Sequence, residues 1–263
     1  MPEKTRLLIR VDDAGSCRAS NLGCLRACTE GPARSTEVMM PCAWVPHAAV
    51  LFNARTDVDI GIHLTLTSEW NAVKWRPLTD AESLVDEAGY FLPLLTPRAG
   101  DHRPSLVDRR WSLDEIVREF RAQIELGVKL FSNASHISSH MIRHFSDFDP
   151  RLGEAISELC EEFGLIDDPF GHGLPRFAPY PAFPRDSRFR AKSFVDGLTD
   201  LSPGTHIFID HPGVDCDELA DIGHPGYEDV AADRVSCLDM LTSPEVAEAI
   251  DRLGVELISY REL

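Results

Sequence analysis

No apolar run in the chain approaches the roughly 20 residues that a membrane-spanning helix requires. The opening Met1-Pro2-Glu3-Lys4-Thr5-Arg6 has no apolar signal core before the first strand-like run begins. The chain is therefore expected to be cytoplasmic. Basic charge is scarce: 26 Lys and Arg stand against 43 Asp and Glu, a formal net charge of -17. Such a surface repels phosphate backbones and anionic lipid, which argues against nucleic acid and membrane as partners. Paired CxxC spacings are also missing. Seven cysteines, an odd number, lie scattered at 17, 24, 28, 42, 160, 216 and 237. Free buried thiols are expected rather than disulfides or a thiolate metal site, with Cys17 of interest for its place near two aspartates. No internal repeat or low-complexity linker divides the chain.

What remains is an ordinary globular composition, 43% hydrophobic and 26% charged, in 263 residues. That length can bury a substantial core, and a single (β/α)-barrel domain over residues 1–263 is expected. Strand-like and helix-like segments alternate from end to end, the pattern of a parallel sheet wrapped by helices. Strands are predicted at 7–11, 35–40, 58–66, 136–139, 205–210 and 255–260. Helices are predicted at 19–29, 45–54, 112–129, 149–164, 229–241 and 244–253. About seven strand–helix units are expected, giving α/β architecture in an irregular (β/α) barrel. Two stretches lack sustained periodicity, 67–111 and 168–185, and loops of such length usually carry function. They are expected to form a lid or substrate wall over one rim.

Asp12 and Asp13 stand side by side at the end of the first apolar run, Leu7-Leu8-Ile9-Arg10-Val11. Strand carboxyl ends are where α/β proteins gather catalytic groups, although Asp also caps helices and fills turns there. In the third strand, Ile60, Ile62, Leu64 and Leu66 alternate with Gly61, His63 and Thr65, so His63 points away from its apolar neighbours. A histidine run follows at His136, His140 and His144. If these strand ends share a rim, Asp13, His63 and His140 converge as one carboxylate and two imidazoles. That donor set suits one divalent metal, Zn²⁺ favoured by nitrogen ligands and Mg²⁺ or Mn²⁺ tolerated. Asp12 then remains free as general base toward a water activated by the metal. His211, ending the 205–210 strand, is a candidate acid for the leaving group, though His-Pro-Gly also reads as a turn. His136 reads as a structural residue, and the direction of His144 is open.

At these residues a resemblance emerges. Val11-Asp12-Asp13-Ala14-Gly15 with Asn21, the Gly61-Ile62-His63-Leu64-Thr65-Leu66 strand and Ser83-Leu84-Val85-Asp86-Glu87-Ala88-Gly89-Tyr90-Phe91 follow one another in order. Glu119-Phe120-Arg121-Ala122-Gln123-Ile124, the histidine run, His211-Pro212-Gly213 and the ending Leu257-Ile258-Ser259-Tyr260-Arg261-Glu262-Leu263 complete the set. The series resembles the YdjC-like carbohydrate deacetylase family across nearly the whole chain. The resemblance implies a (β/α) barrel related to polysaccharide deacetylases. It also implies metal-dependent removal of acetyl from N-acetylated sugars such as chitooligosaccharides. By position it makes Asp12 the proton acceptor and Asp13, His63 and His140 the metal ligands. The chain departs from the family pattern at Ala14, where Phe is usual, and at Ser138, where Asp is usual. Met141 and Ile142 replace polar residues. These changes thin the groups that orient the ligands. Trp70, Trp75 and Trp111 could offer an apolar platform to a sugar ring.

A small carbohydrate is thus the expected partner, with a homo-oligomer left open. Two further readings stand beside the deacetylase. One is a metal-dependent hydrolase of a different amide, ester, lactone or phosphoester, since fold and metal do not fix chemistry. The other is a catalytically silent sugar-binding protein.

Overall fold

The computed structural model describes residues 4–263; the first three residues of the N-terminal segment lie outside them. Its centre is a six-stranded parallel sheet. The strands are β1 (Thr5–Ala14), β2 (Ser35–Val38), β3 (Asp59–Leu64), β4 (Ala134–Ser139), β5 (Gly204–Asp210) and β6 (Glu256–Ile258). The sheet runs in the order β4-β3-β2-β1-β5. β6 pairs with the first half of β1 at Arg6 to Leu8, while β2 takes the second half from Arg10 onward. The outer edges gain single bridges, Ile166 on β4 and Arg176 on β5. Irregular backbone between those two residues spans the gap where a closed barrel would have further strands. The expected seven strand–helix units are therefore six strands, and the last is shorter than 255–260 because Tyr260 opens a 3₁₀ turn.

Among the described residues, eight helices cover the outside: α1 (Arg18–Thr29), α2 (Val45–Phe52), α3 (Leu113–Leu130), α4 (Pro150–Phe163), α5 (Ser187–Asp200), α6 (Asp217–Ala220), α7 (Val230–Leu241) and α8 (Pro244–Leu253). Their starts follow from local chemistry. Ser112 accepts a hydrogen bond from the Glu115 backbone at α3, and Asp149 and Ser243 cap α4 and α8 just ahead of Pro150 and Pro244. Ile116, Phe120 and Ile124 of α3 are buried at helical spacing, as their sequence pattern predicts. α5 was not predicted. It carries Arg190, Ser193, Gly197 and Thr199 amid few apolar residues, and its buried face includes a charged side chain, Arg190. A helix whose inner face is partly ionic leaves no clean apolar stripe to read. Residues 67–112 hold two 3₁₀ turns and no longer helix, so the stretch is an irregular loop as expected.

The strands separate two interiors. Leu7, Ile9 and Val11 of β1 face the large core under the helices, whereas Leu8 belongs to a smaller cluster with Ile207, Ile209, Ile258 and Tyr260 inside the curl of the sheet. Above that apolar plug the same inward face turns polar: Arg10, Asp12, Glu37, His63, His136 and Ser138 are all buried. Gly61 makes room there, because a Cβ would collide with the Glu37 carboxylate and the His136 ring. Buried polar groups are costly unless satisfied, so this layer is a set of linked hydrogen bonds at the sheet's carboxyl rim. No described helix is long and apolar enough to cross a membrane. All seven thiols are free, six of them buried.

Candidate active site

β1 ends in a distortion that decides the geometry of the rim. Neighbouring strand residues normally face opposite sides, yet Asp13 adopts φ 72, a left-handed conformation, where the register with β2 also shifts. The turn brings both carboxylates near one imidazole: His63 Nε2 lies 3.7 Å from Asp12 Oδ2 and 3.9 Å from Asp13 Oδ1. His140 arrives from the end of β4, with Nδ1 3.3 Å from Asp13 Oδ1. Met141, directly after it, also has positive φ, 64. Asp13, His63 and His140 thus offer donor atoms within 4.8 Å of one another, all three residues buried. The trio expected from sequence is brought together.

Each member is held from behind. Arg10 grips Asp12 with two hydrogen bonds, Nε to Oδ1 at 2.8 Å and NH2 to Oδ2 at 2.9 Å. The same guanidinium donates to Asp168 at 2.6 Å and to the Tyr260 hydroxyl at 3.1 Å. Arg234 of α7 reaches Asp13 Oδ2 at 2.6 Å. Burial opposes ionisation of Asp13, but Arg234 holds its carboxyl well below the usual carboxylate range. His140 directs Nε2 to Glu69 at 3.1 Å, leaving Nδ1 for Asp13. Although burial works against its charge, Glu69 and Asp13 push the His140 pKa up to about 10. His63 is pushed the other way, well below the ordinary imidazole value, by burial and by His140, so it is neutral with a lone pair to offer. Its Nδ1 lies 2.7 Å from Ser138 Oγ, and the Ser138 hydroxyl donates to Glu37. The expectation that Ser138 thins the ligand support is therefore corrected: a carboxylate is present, supplied by β2.

Asp13 Oδ1 is buried without a hydrogen-bond partner, in the gap that His63 and His140 also face. An orphaned anionic oxygen flanked by two imidazoles, each braced on its far nitrogen, fits a divalent cation. The gap opens into two cavities that share Met141 and His211, one of 290 Å³ toward Asp12 and Arg143, one of 210 Å³ toward Trp70 and Arg234. His211 stands at this mouth with its side chain 42% exposed. Desolvation opposes its protonation, yet Asp13 and Asp210 raise its pKa above the usual imidazole value.

Other sequence expectations fare unevenly. His136 is structural, stacked on Tyr260 at 3.4 Å and bonded to Glu37 at 2.7 Å. His144, whose direction was open, turns from the catalytic gap toward Asp167, 3.1 Å away. Cys17 caps α1 through Ser20 N. Trp70 lines the smaller cavity beside Arg234, whereas Trp75 is buried against His140 and Trp111 packs on Phe148. Glu37, Glu69, Asp168 and Arg234 were missed. Only Glu37 carried a signal, an acidic residue inside an otherwise buried strand.

The sequence model of the YdjC-like protein family matches residues 6–252. The chain belongs to the YdjC-like family. A chitooligosaccharide deacetylase of Yersinia enterocolitica serotype O:8 / biotype 1B is 29% identical, covering 97% of this chain and 98% of that protein. A carbohydrate deacetylase of Geobacillus stearothermophilus is 30% identical, with 97% and 96% covered. Among solved structures, a protein of Enterococcus faecalis V583 described as a candidate cellobiose-phosphate cleavage protein superposes with a TM-score of 0.76 at 23% identity. That match covers 98% of both chains and establishes a shared fold.

Proposed function

We propose that this YdjC-like protein is a metal-dependent hydrolase that removes acetyl groups from an N-acetylated sugar or short oligosaccharide. The observation that carries the reading is the convergence of Asp13, His63 and His140 on an unpartnered, buried Asp13 Oδ1, with the Asp12 carboxylate alongside. The names of the two relatives supply the substrate class. Asp13, His63 and His140 would hold the cation, Zn²⁺ or Mg²⁺, which would polarise an acyl carbonyl and acidify a water nearby.

The chain's own groups do the rest. Asp12 takes the proton of the attacking water, oriented for it by the two-pronged grip of Arg10. Arg234 lines the smaller cavity with Nε and NH1 buried and unpartnered, two donors for an acyl or sugar oxygen. His211, whose pKa its acidic neighbours raise, is placed to return a proton to the leaving amine. Trp70, stacked on His224 at 5.7 Å, gives that cavity an apolar wall. The test is acetate release from N-acetylglucosamine and its oligomers by chelator-treated protein reloaded with Zn²⁺ or Mg²⁺. Metal-dependent release is expected. Turnover of other amides or esters with no acetate from any N-acetyl sugar would overturn the reading.

A further inference from the structure

Away from Asp13, a second group of metal-capable side chains occurs among the described residues: His144, Asp167 and His172, with donor atoms all within 4.8 Å of one another. They come from two pieces of backbone. His144 follows β4, Asp167 follows α4, and His172 sits in a turn in which Pro169 accepts from both His172 and Leu174. Asp167 stands between the rings, Oδ1 3.1 Å from His144 Nε2 and Oδ2 2.9 Å from His172 Nε2. Exposure is graded, 1% for the His144 side chain, 15% for Asp167 and 56% for His172. Two donors are thus fixed within the protein while the third faces solvent, which leaves an approach for an ion.

Two details prepare this cluster. A Cβ at Gly171 would lie 2.8 Å from the His144 side chain, so only glycine lets the turn close over that imidazole. Ser146 Oγ is 2.7 Å from His144 Nδ1. The Ser146 backbone N–H also donates to Nδ1, at 3.2 Å, so without a cation Nε2 carries the ring proton and donates to Asp167; a cation on Nε2 would move that proton to Nδ1, where Ser146 Oγ can accept it.

We propose that His144, Asp167 and His172 form a second divalent-metal site, distinct from the catalytic group, that pins the 165–174 segment to the rim. Two imidazoles and one carboxylate suit Zn²⁺, with water completing four-coordination; Mg²⁺ prefers an all-oxygen octahedron and is disfavoured. The pinned segment matters to the barrel. Ile166 bridges to β4, and Asp168, the next residue after the proposed ligand, anchors Arg10 behind Asp12. A cation at Asp167 therefore clamps the backbone that closes the gap in the sheet.

The test is Zn²⁺ titration by calorimetry of the full chain after chelator treatment, in a His63→Ala background that removes the catalytic group. One equivalent of Zn²⁺ should still bind, with a rise in Tm, and Mg²⁺ should neither compete nor stabilise. His172 is exposed and bonded only to Asp167, so adding His172→Ala should leave the fold intact, as circular dichroism would verify. That double variant should bind no Zn²⁺. Equal binding by the single and double variants, or none by the single variant, would overturn the proposal. Neither outcome bears on the deacetylase reading, which acetate release decides.

Discussion

Glu37 on β2 accepts the hydroxyl proton of Ser138 on β4 across the intervening strand β3, and the same hydroxyl lies 2.7 Å from His63 Nδ1. The serine relays a carboxylate that stands one strand farther away than an aspartate at 138 would. With Ser138 donating to Glu37, its oxygen accepts from His63 Nδ1, which leaves the Nε2 lone pair toward Asp12 and Asp13. Glu37 is shared, also accepting from Ser35 at 3.0 Å and pairing with His136 at 2.7 Å.

Ser138→Ala should break the relay without removing a ligand. Loss of a group that orients a ligating histidine typically costs about 10–100-fold in metal affinity, and calorimetric titration would measure it. Ser138→Asp, which restores the family residue, should destabilise this chain because two carboxylates would face each other. Adding Glu37→Gln should recover that loss. A Ser138→Asp variant as stable as the wild type would contradict the relay.

The relay also has a pH signature. Burial opposes charge on Glu37, but His136 and Arg10 hold its pKa below the ordinary value of 4.5. A lowered folded-state pKa contributes stability that is complete above the ordinary value and lost as pH falls through the folded one. The stability gap between wild type and Glu37→Gln should therefore be widest near neutrality and narrow in acid below the ordinary value. Urea denaturation at neutral and acidic pH would reveal it.

Asp12 and Asp13 should separate by role. Asp12→Asn removes a base, so metal content should persist while turnover falls by the 10²–10⁴-fold, roughly, that a general base contributes. Asp13→Asn removes a charged ligand and leaves Arg234 unpaired, so metal should be lost. Equal metal loss in the two variants, read by elemental analysis, would mean that the roles are not divided.

The pair was legible in company with His63 and His140, since adjacent carboxylates at a strand end can equally cap a helix or fill a turn, and His63 because a period-two strand shows which way it points. Their partners were not. Arg234 meets Asp13 across 221 positions of sequence, and Asp168 meets Arg10 across 158. An arginine in α7 looks like any solvated helical charge until the barrel brings it to the rim. The curl of the sheet was legible from alternating strands and helices; its gap was not, because single bridges at Ile166 and Arg176 leave no strand pattern.

Arg234→Met tests the long-range pair. Removing one partner of a buried ion pair typically costs about 3–5 kcal/mol, because the other charge is left uncompensated. A cation beside Asp13 would offset part of that loss. The variant should therefore be more destabilised in chelator than with Zn²⁺ present, as denaturant titrations in both conditions would report. An equal loss in both would separate Arg234 from the metal-holding carboxylate.

His211 ends β5 at the mouth shared by the two cavities, and its proposed role is to protonate the leaving amine. Such an acid works only while protonated, so activity should fall as pH rises through its pKa. In the metal-free chain Asp13 and Asp210 raise that pKa despite desolvation, and the alkaline limb of kcat/KM should follow the His211 titration. In His211→Ala that limb should vanish. Turnover of an N-acetyl sugar should drop about 10²–10⁴-fold, while an activated aryl acetate, whose leaving group needs no proton, should be hydrolysed nearly as before. A ligand or a structural turn residue would impair both substrates together. Parallel loss on the amide and the aryl ester, at unchanged metal content, would remove His211 from the acid role.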